Sequence, residues 1–206
     1  MYNPALFRID DADRLADFLG RYPFATLISG DGEGLDISHL PLLLSTDAPR
    51  RLQGHMARAN PQWRSMEGKE VRVLFQGPHG YISPSWYEEA QAVPTWNYMA
   101  VHIWGRVRLV QEPEPLLELL ERLVQREEAR FSTPWVLDRS DDWTRSLLAG
   151  IVGFEIDILR MEGKFKLSQN RPPASRQKVV ATLAQSPEPS DQELARWMAE
   201  ILGLPL

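Results

Sequence analysis

No cysteine occurs anywhere in the 206 residues. That excludes disulfides, thiolate metal sites and thiol nucleophiles, and it suits a reducing, cytoplasmic setting. Histidine is scarce. His39, His55, His79 and His102 are never three or four apart, so no helix presents a metal-binding pair and no metal is expected. No apolar run approaches the roughly 20 residues that span a bilayer. The opening Met1-Tyr2-Asn3-Pro4 lacks the basic-then-apolar order of a signal peptide, so a cytoplasmic location is expected. A basic surplus is also missing. The formal net charge is -5, which disfavours non-specific nucleic-acid binding. Lysine is rare, at 4 against 19 arginines, a bias read here as genomic. Ser83, Ser85 and Ser168 stand in no Gly-x-Ser-x-Gly elbow, so no catalytic residue is assigned. What remains, 43% hydrophobic and 25% charged, is the balance of a soluble globular protein able to bury a core.

Aromatics are concentrated in one place. Six of the nineteen fall between Gly77 and Gly105, among prolines, hydroxyls and two histidines. Rings next to hydrogen-bonding tips suit a flat ligand or a subunit interface, and equally an aromatic corner of the core. Around this stretch the pattern alternates between strands and turns. A short helix is expected over 10–20, capped by Asp10 or Asp11. Strands are expected at Phe24–Ser29 and Leu35–Ser45 about an Asp31-Gly32-Glu33-Gly34 turn, then at Arg51–Met56 and Val71–Gln76. Asn60 caps a short helix with Pro61 at its first position. The stretch Gly77–Tyr87 reads as part of a long aromatic loop. From Tyr98 to Val110 the alternation is clean, with Met99, Val101, Ile103, Val107 and Leu109 on one face and Tyr98, His102, Trp104, Arg106 and Arg108 on the other.

Pro115–Ala129 carries a leucine stripe and is an amphipathic helix. A short helix capped by Ser140 runs to Leu148. A strand at Val152–Ile158, a Glu162-Gly163 turn and a strand at Lys164–Asn170 follow. Two helices end the chain, 175–184 and 190–202, the second with a Ser190/Glu193 capping box. Many short strands with few crossover helices give a mainly β, α+β chain: an antiparallel barrel decorated by helices. The division expected is a barrel domain over 1–170 and a helical tail over 171–206.

Three segments carry candidate chemistry. At Gly54-His55-Met56-Ala57-Arg58-Ala59-Asn60-Pro61 a strand meets a helix start, where backbone N–H groups and Arg58 can hold an anion. Lys164-Phe165-Lys166-Leu167-Ser168-Gln169-Asn170-Arg171 gathers two of the four lysines with neutral hydrogen-bonding groups, which suits a phosphate or a flavin-like polar edge, or a solvated strand end. The polar and aromatic face of 98–110 meets solvent, a ligand or a partner.

Together with His39-Leu40-Pro41, the Gly77–Tyr87 run, Pro94-Thr95-Trp96-Asn97-Tyr98 and Val101-His102, these segments resemble the PaiB family of FMN-binding negative transcriptional regulators. The resemblance spans residues 1 to about 185. It implies an antiparallel split β-barrel of the FMN-binding, pyridoxamine-phosphate-oxidase-like type, built as a homodimer with FMN at the subunit interface. It implies cofactor contacts from Ser38, His39, His55, Arg58, Asn60, Thr95, Trp96, Asn97, Tyr98, His102, Lys166, Ser168, Gln169 and Arg171. The function implied is ligand-dependent negative regulation of transcription without redox turnover. A flavin- or haem-dependent oxidoreductase is the alternative. Direct DNA reading is disfavoured, because Asp191, Glu193 and Glu200 outweigh Arg196 on the last helix.

Overall fold

The computed structural model of the chain describes residues 1–30, 34–45, 47–87, 89 and 91–206. Along them run strands β1 Arg8–Ile9, β2 Phe24–Ser29, β3 Asp36–Pro41, β4 Leu43–Leu44, β5 Arg51–Ala57, β6 Glu70–Ile82, β7 Thr95–Val110 and β8 Ile151–Lys166. The helices are α1 Ala12–Arg21, α2 Pro113–Glu128, α3 Asp142–Leu147, α4 Pro173–Ala184 and α5 Pro189–Leu202. The chain forms two compact units. The first holds Met1–Phe18, Gln76–Val101 and Glu162–Leu206, and the second holds Leu19–Phe75 and His102–Met161.

In the second unit the strand order is β3-β2-β6-β7-β8-β5-β4. β2 pairs antiparallel with β3 and with β6, and β5 pairs antiparallel with β4 and with β8. The arm expected over Leu35–Ser45 is therefore two strands on different partners. Leu42 parts them. Its N–H goes to the Pro23 carbonyl at 2.9 Å, and its buried side chain occupies the space over Gly54, where an added Cβ would lie 2.5 Å from Leu42 Cδ2. Of the turn expected at 31–34, Asp31, Gly32 and Glu33 lie outside the described residues.

The leucine stripe of α2 is buried as its spacing requires: Leu116, Leu117, Leu119 and Leu123 cluster with Leu148. Gly153 admits this helix to β8, since a Cβ there would meet Leu116 Cδ1 at 2.7 Å. The cap of α3 is Asp141 rather than Ser140; its Oδ2 accepts the Thr144 N–H at 2.9 Å. A carboxylate already points at the first-turn amides, and Ser140 is spent on Asp138.

In the first unit β1 pairs with β8, with Ile9 opposite Gly163. The turn expected at Glu162-Gly163 is thus strand interior. The glycine serves close packing, because a Cβ at Gly163 would sit 2.4 Å from Leu15 Cδ2. The expected aromatic loop also begins as strand. β6 continues to Ile82, and its burial alternation slips by one residue where Gly77 and Pro78 are both buried. The core gathers Phe18, Phe165 and Trp197, with ring centroids 5.1 to 6.0 Å apart. The C-terminal helices are thus core elements. The Ser190/Glu193 capping box does not form. Pro189 opens α5, Glu188 is its cap residue, and the Ser190 hydroxyl donates to the His79 carbonyl at 3.4 Å.

Candidate functional site

The expected cofactor residues fall into two sets, one in each unit. In the second unit, Ser38, Asn60 and Gln62 form a closed network. The Ser38 hydroxyl donates to Gln62 Oε1 at 2.5 Å, and Asn60 Nδ2 donates to Ser38 Oγ at 2.8 Å. Gln62 Nε2 donates to Ser29 Oγ at 3.0 Å and to the Asp36 carbonyl at 3.1 Å. Asn60 also caps the short helix at Pro61–Ser65, accepting the Gln62 N–H at 3.0 Å. Gln62 is only 1% exposed, so it ties the β2–β3 hairpin to the end of β5 from inside. Sequence reading missed Gln62. Its position after Asn60-Pro61 marks a helix start but says nothing of a hairpin 26 residues upstream.

Arg58 is half-buried and engaged by the chain. Its Nε donates to the Ala149 carbonyl and its Nη2 to the Ile151 carbonyl, each at 2.9 Å, while Nη1 reaches Gln111 Oε1 at 3.3 Å. These bonds use three of five donors. His55 lies half-buried with Nδ1 inaccessible and, among the described residues, without a partner, and burial pushes its pKa below the ordinary histidine value. His39 is exposed, 3.1 Å from Thr26 Oγ1 and stacked near Phe24. His102 stands half-buried beside Trp104, itself between the guanidiniums of Arg72 and Arg160 at 5.5 and 4.2 Å.

In the first unit the residues of β7 divide by side. Asn97 is fully buried, and its Nδ2 donates to Ser168 Oγ at 2.9 Å. Ser168 has a left-handed backbone, with φ of 65°, costly for a non-glycine residue and held here by its buried bond to Asn97. Gln169 is spent on the same turn, donating to the Phe165 carbonyl and accepting the Leu167 N–H. Arg171 is paired with Glu89 at 3.1 Å and lies over the Tyr87 ring. These four groups organise the exit from β8.

The opposite side of the same strands is open. Trp96 is 54% exposed and Tyr81 46% exposed, with ring centroids 6.0 Å apart, edge to face; His79 lies 6.3 Å from Trp96. Beside them Lys166 Nζ donates to the Trp96 carbonyl at 2.8 Å and to Thr95 Oγ1. Lys164 is 7% exposed. Its Nζ donates to the Tyr2 carbonyl at 3.0 Å and lies 5.3 Å from the rings of Tyr2 and Tyr98. Among the described residues neither lysine has a carboxylate within ion-pair distance. Burial first, then the charges of Lys164 and Arg171, hold the Lys166 pKa below the ordinary lysine value. Aromatic surface beside uncompensated positive charge fits a flat, phosphate-bearing group such as FMN.

Three clefts elsewhere, around Trp86 and Lys178, around Arg108 and Glu118, and around Leu43 and Gln125, contain none of the expected cofactor residues. The candidate surface is an open sheet face, and its chemistry identifies it better than its depth.

The comparisons with known proteins establish the family and the fold. The family described as "Putative FMN-binding domain" matches residues 1–160. Protease synthase and sporulation protein PAI 2 of Bacillus subtilis (strain 168), the PaiB protein, is 36% identical over 205 residues, covering 98% of each chain. Uncharacterized protein AN0679 of Emericella nidulans is 33% identical over 185 residues, covering 70% of this chain and 73% of that protein. The chain belongs to this FMN-binding-domain family, with PaiB among its relatives. Among solved structures, the flavocytochrome Anf3 of Azotobacter vinelandii aligns with a TM-score of 0.57 at 13% identity, over 77% of this chain and 69% of that one. The FAD and heme binding protein of Mycobacterium smegmatis aligns with a TM-score of 0.55 at 18% identity, over 77% and 73%. The fold is α+β on an antiparallel sheet and resembles that of these two solved structures.

Proposed function

We propose that this chain is a homodimeric, PaiB-like FMN-binding protein that acts as a negative transcriptional regulator through its bound ligand. The observation that carries the reading is the open face of the first unit, where exposed Trp96 and Tyr81 pack edge to face and Lys166 donates to the Trp96 carbonyl. Trp96, Tyr98 and Lys166 would hold the cofactor on this unit. Six other expected residues serve the scaffold of their own unit: Ser38 and Asn60 through Gln62, Asn97, Ser168 and Gln169 through the turn after β8, and Arg171 through Glu89. FMN, when bound, supplies reversible electron-transfer chemistry that the side chains alone lack.

Two features bear on the route of regulation, through the ligand rather than by direct DNA reading, and on the dimer. The last helix, α5, buries Leu194, Trp197 and Met198 and carries Asp191, Glu193 and Glu200, a poor surface for the major groove. The edge strand β3 and its neighbour β2 expose Phe24 and Ile37, apolar side chains that suit burial by a second copy. An open half-site on one chain is also what a ligand shared by two chains requires. Purified protein should elute as a dimer and release FMN on heating. A colourless protein that takes up no added FMN overturns the reading. Oxidation of reduced nicotinamide by an FMN-loaded sample would move it to the oxidoreductase reading.

A further inference from the structure

Three cations lie close together in the first unit, and they are not equivalent. Arg171 is neutralised by Glu89 at 3.1 Å. Lys164 is a fixed charge, its ammonium set against the rings of Tyr2 and Tyr98 and bonded to one carbonyl. Lys166 is two residues further along β8, on the same side of the strand, and reaches the margin where Trp96 is exposed. Lys164 is nearly buried and Lys166 half-buried, and ammonium groups so placed with no carboxylate among the described residues favour a ligand that supplies negative charge. The surrounding rings are accessible on one side and offer no such charge.

We infer that Lys166, backed by Lys164, is the anchor for the phosphate of a planar aromatic ligand, so that this chain selects the phosphorylated flavin over the unphosphorylated one. The inference rests on the FMN reading for the ligand's identity, and on the lysine pair alone for its charge. Lys166 is the contact group: two of its ammonium donors go to Thr95 Oγ1 and the Trp96 carbonyl, and the third is unspent. Lys164 is a positioning charge that strengthens the anion's binding without reaching it.

The test is a titration of the full-length protein with FMN and with riboflavin, read by quenching of flavin emission. Wild type should bind FMN more tightly than riboflavin. Lys166→Gln should lose FMN affinity on the order of tenfold to a hundredfold, the range of one charge-assisted hydrogen bond, with riboflavin unchanged. Lys166→Arg should keep the preference. The wild-type preference should also weaken as pH rises through the lowered Lys166 pKa, because the amine then loses its charge; in Lys166→Arg it should persist. A purely structural role for Lys166 would not produce that pH profile. If Lys166→Gln keeps the wild-type ratio of FMN to riboflavin affinity, the inference is overturned while the FMN reading stands. If wild type binds neither flavin, the FMN reading falls, and inorganic phosphate decides the lysine pair. A thermal midpoint raised by phosphate in wild type and not in Lys166→Gln supports the anchor; no rise in wild type overturns it.

Discussion

Replacing Gln62 by leucine separates the scaffold from the ligand chemistry. The side chain is 1% exposed and joins Ser38, Ser29 and the Asp36 carbonyl. Leucine keeps the approximate volume and removes every one of those bonds. Ser29 Oγ and the Asp36 carbonyl lose a donor, and the Ser38 hydroxyl loses its acceptor. Each buried orphan costs about 1–3 kcal/mol. Ser38 can rotate, and the added apolar burial returns about 1 kcal/mol. The net expected loss is therefore about 2–4 kcal/mol. For a chain of this size that corresponds to a fall in Tm of roughly 5–15 °C. Equilibrium urea unfolding followed by tryptophan emission measures it directly. A variant within about 0.5 kcal/mol of wild type would show that the network is not a tie, and that Ser38 and Asn60 are free for another purpose.

Three further outcomes are expected. Arg58→Ala should cost about 1 kcal/mol by removing the bonds to the exposed Ala149 carbonyl and the half-buried Ile151 carbonyl; unchanged flavin retention in that variant removes Arg58 from the cofactor residues. His55 is held neutral by burial, so its folded pKa lies below the unfolded value of about 6.5. Its contribution is intact above that value and is lost as pH falls toward the folded pKa, because the unfolded chain takes the proton first. Stability against pH, measured for wild type and His55→Phe, should show a shallower acid loss in the variant; parallel curves contradict the assignment. Gly105→Ala would place a Cβ 2.3 Å from Ile156 Cγ2 and 2.7 Å from the Asp157 carbonyl. Backbone cannot yield as a side-chain end can, so a loss of about 2–4 kcal/mol is expected by chemical denaturation, and a neutral result contradicts the packing.

The sequence was most legible where one periodicity acted over a long span. The strand expected at Phe24–Ser29 occupies those residues, and the leucine stripe falls within α2 at Pro113–Glu128. The alternation of Met99, Val101, Ile103 and Val107 separates the buried side of β7 from Tyr98, His102 and Trp104. It failed where glycine had two meanings. Gly77, read as the start of a loop, lies in β6 beside buried Pro78; Gly163, read as a turn, makes room for Leu15. Local spacing cannot tell a turn from a close approach by a distant element. The same limit hid Gln62 and the role of Ser168, whose partners lie far away in sequence. It also read the last helix without a packing role, although Trp197 fills the aromatic core of the first unit. The lysine cluster was legible as charge. Its lack of carboxylate partners among the described residues became visible only in three dimensions.

The most direct measurement is the visible absorbance of freshly purified protein supplied with FMN and then freed of unbound flavin. The account requires a flavin spectrum that stays with the protein through gel filtration and is diminished in Lys166→Gln. A wild-type protein that passes through colourless, with its flavin left behind in the small-molecule fraction, contradicts it.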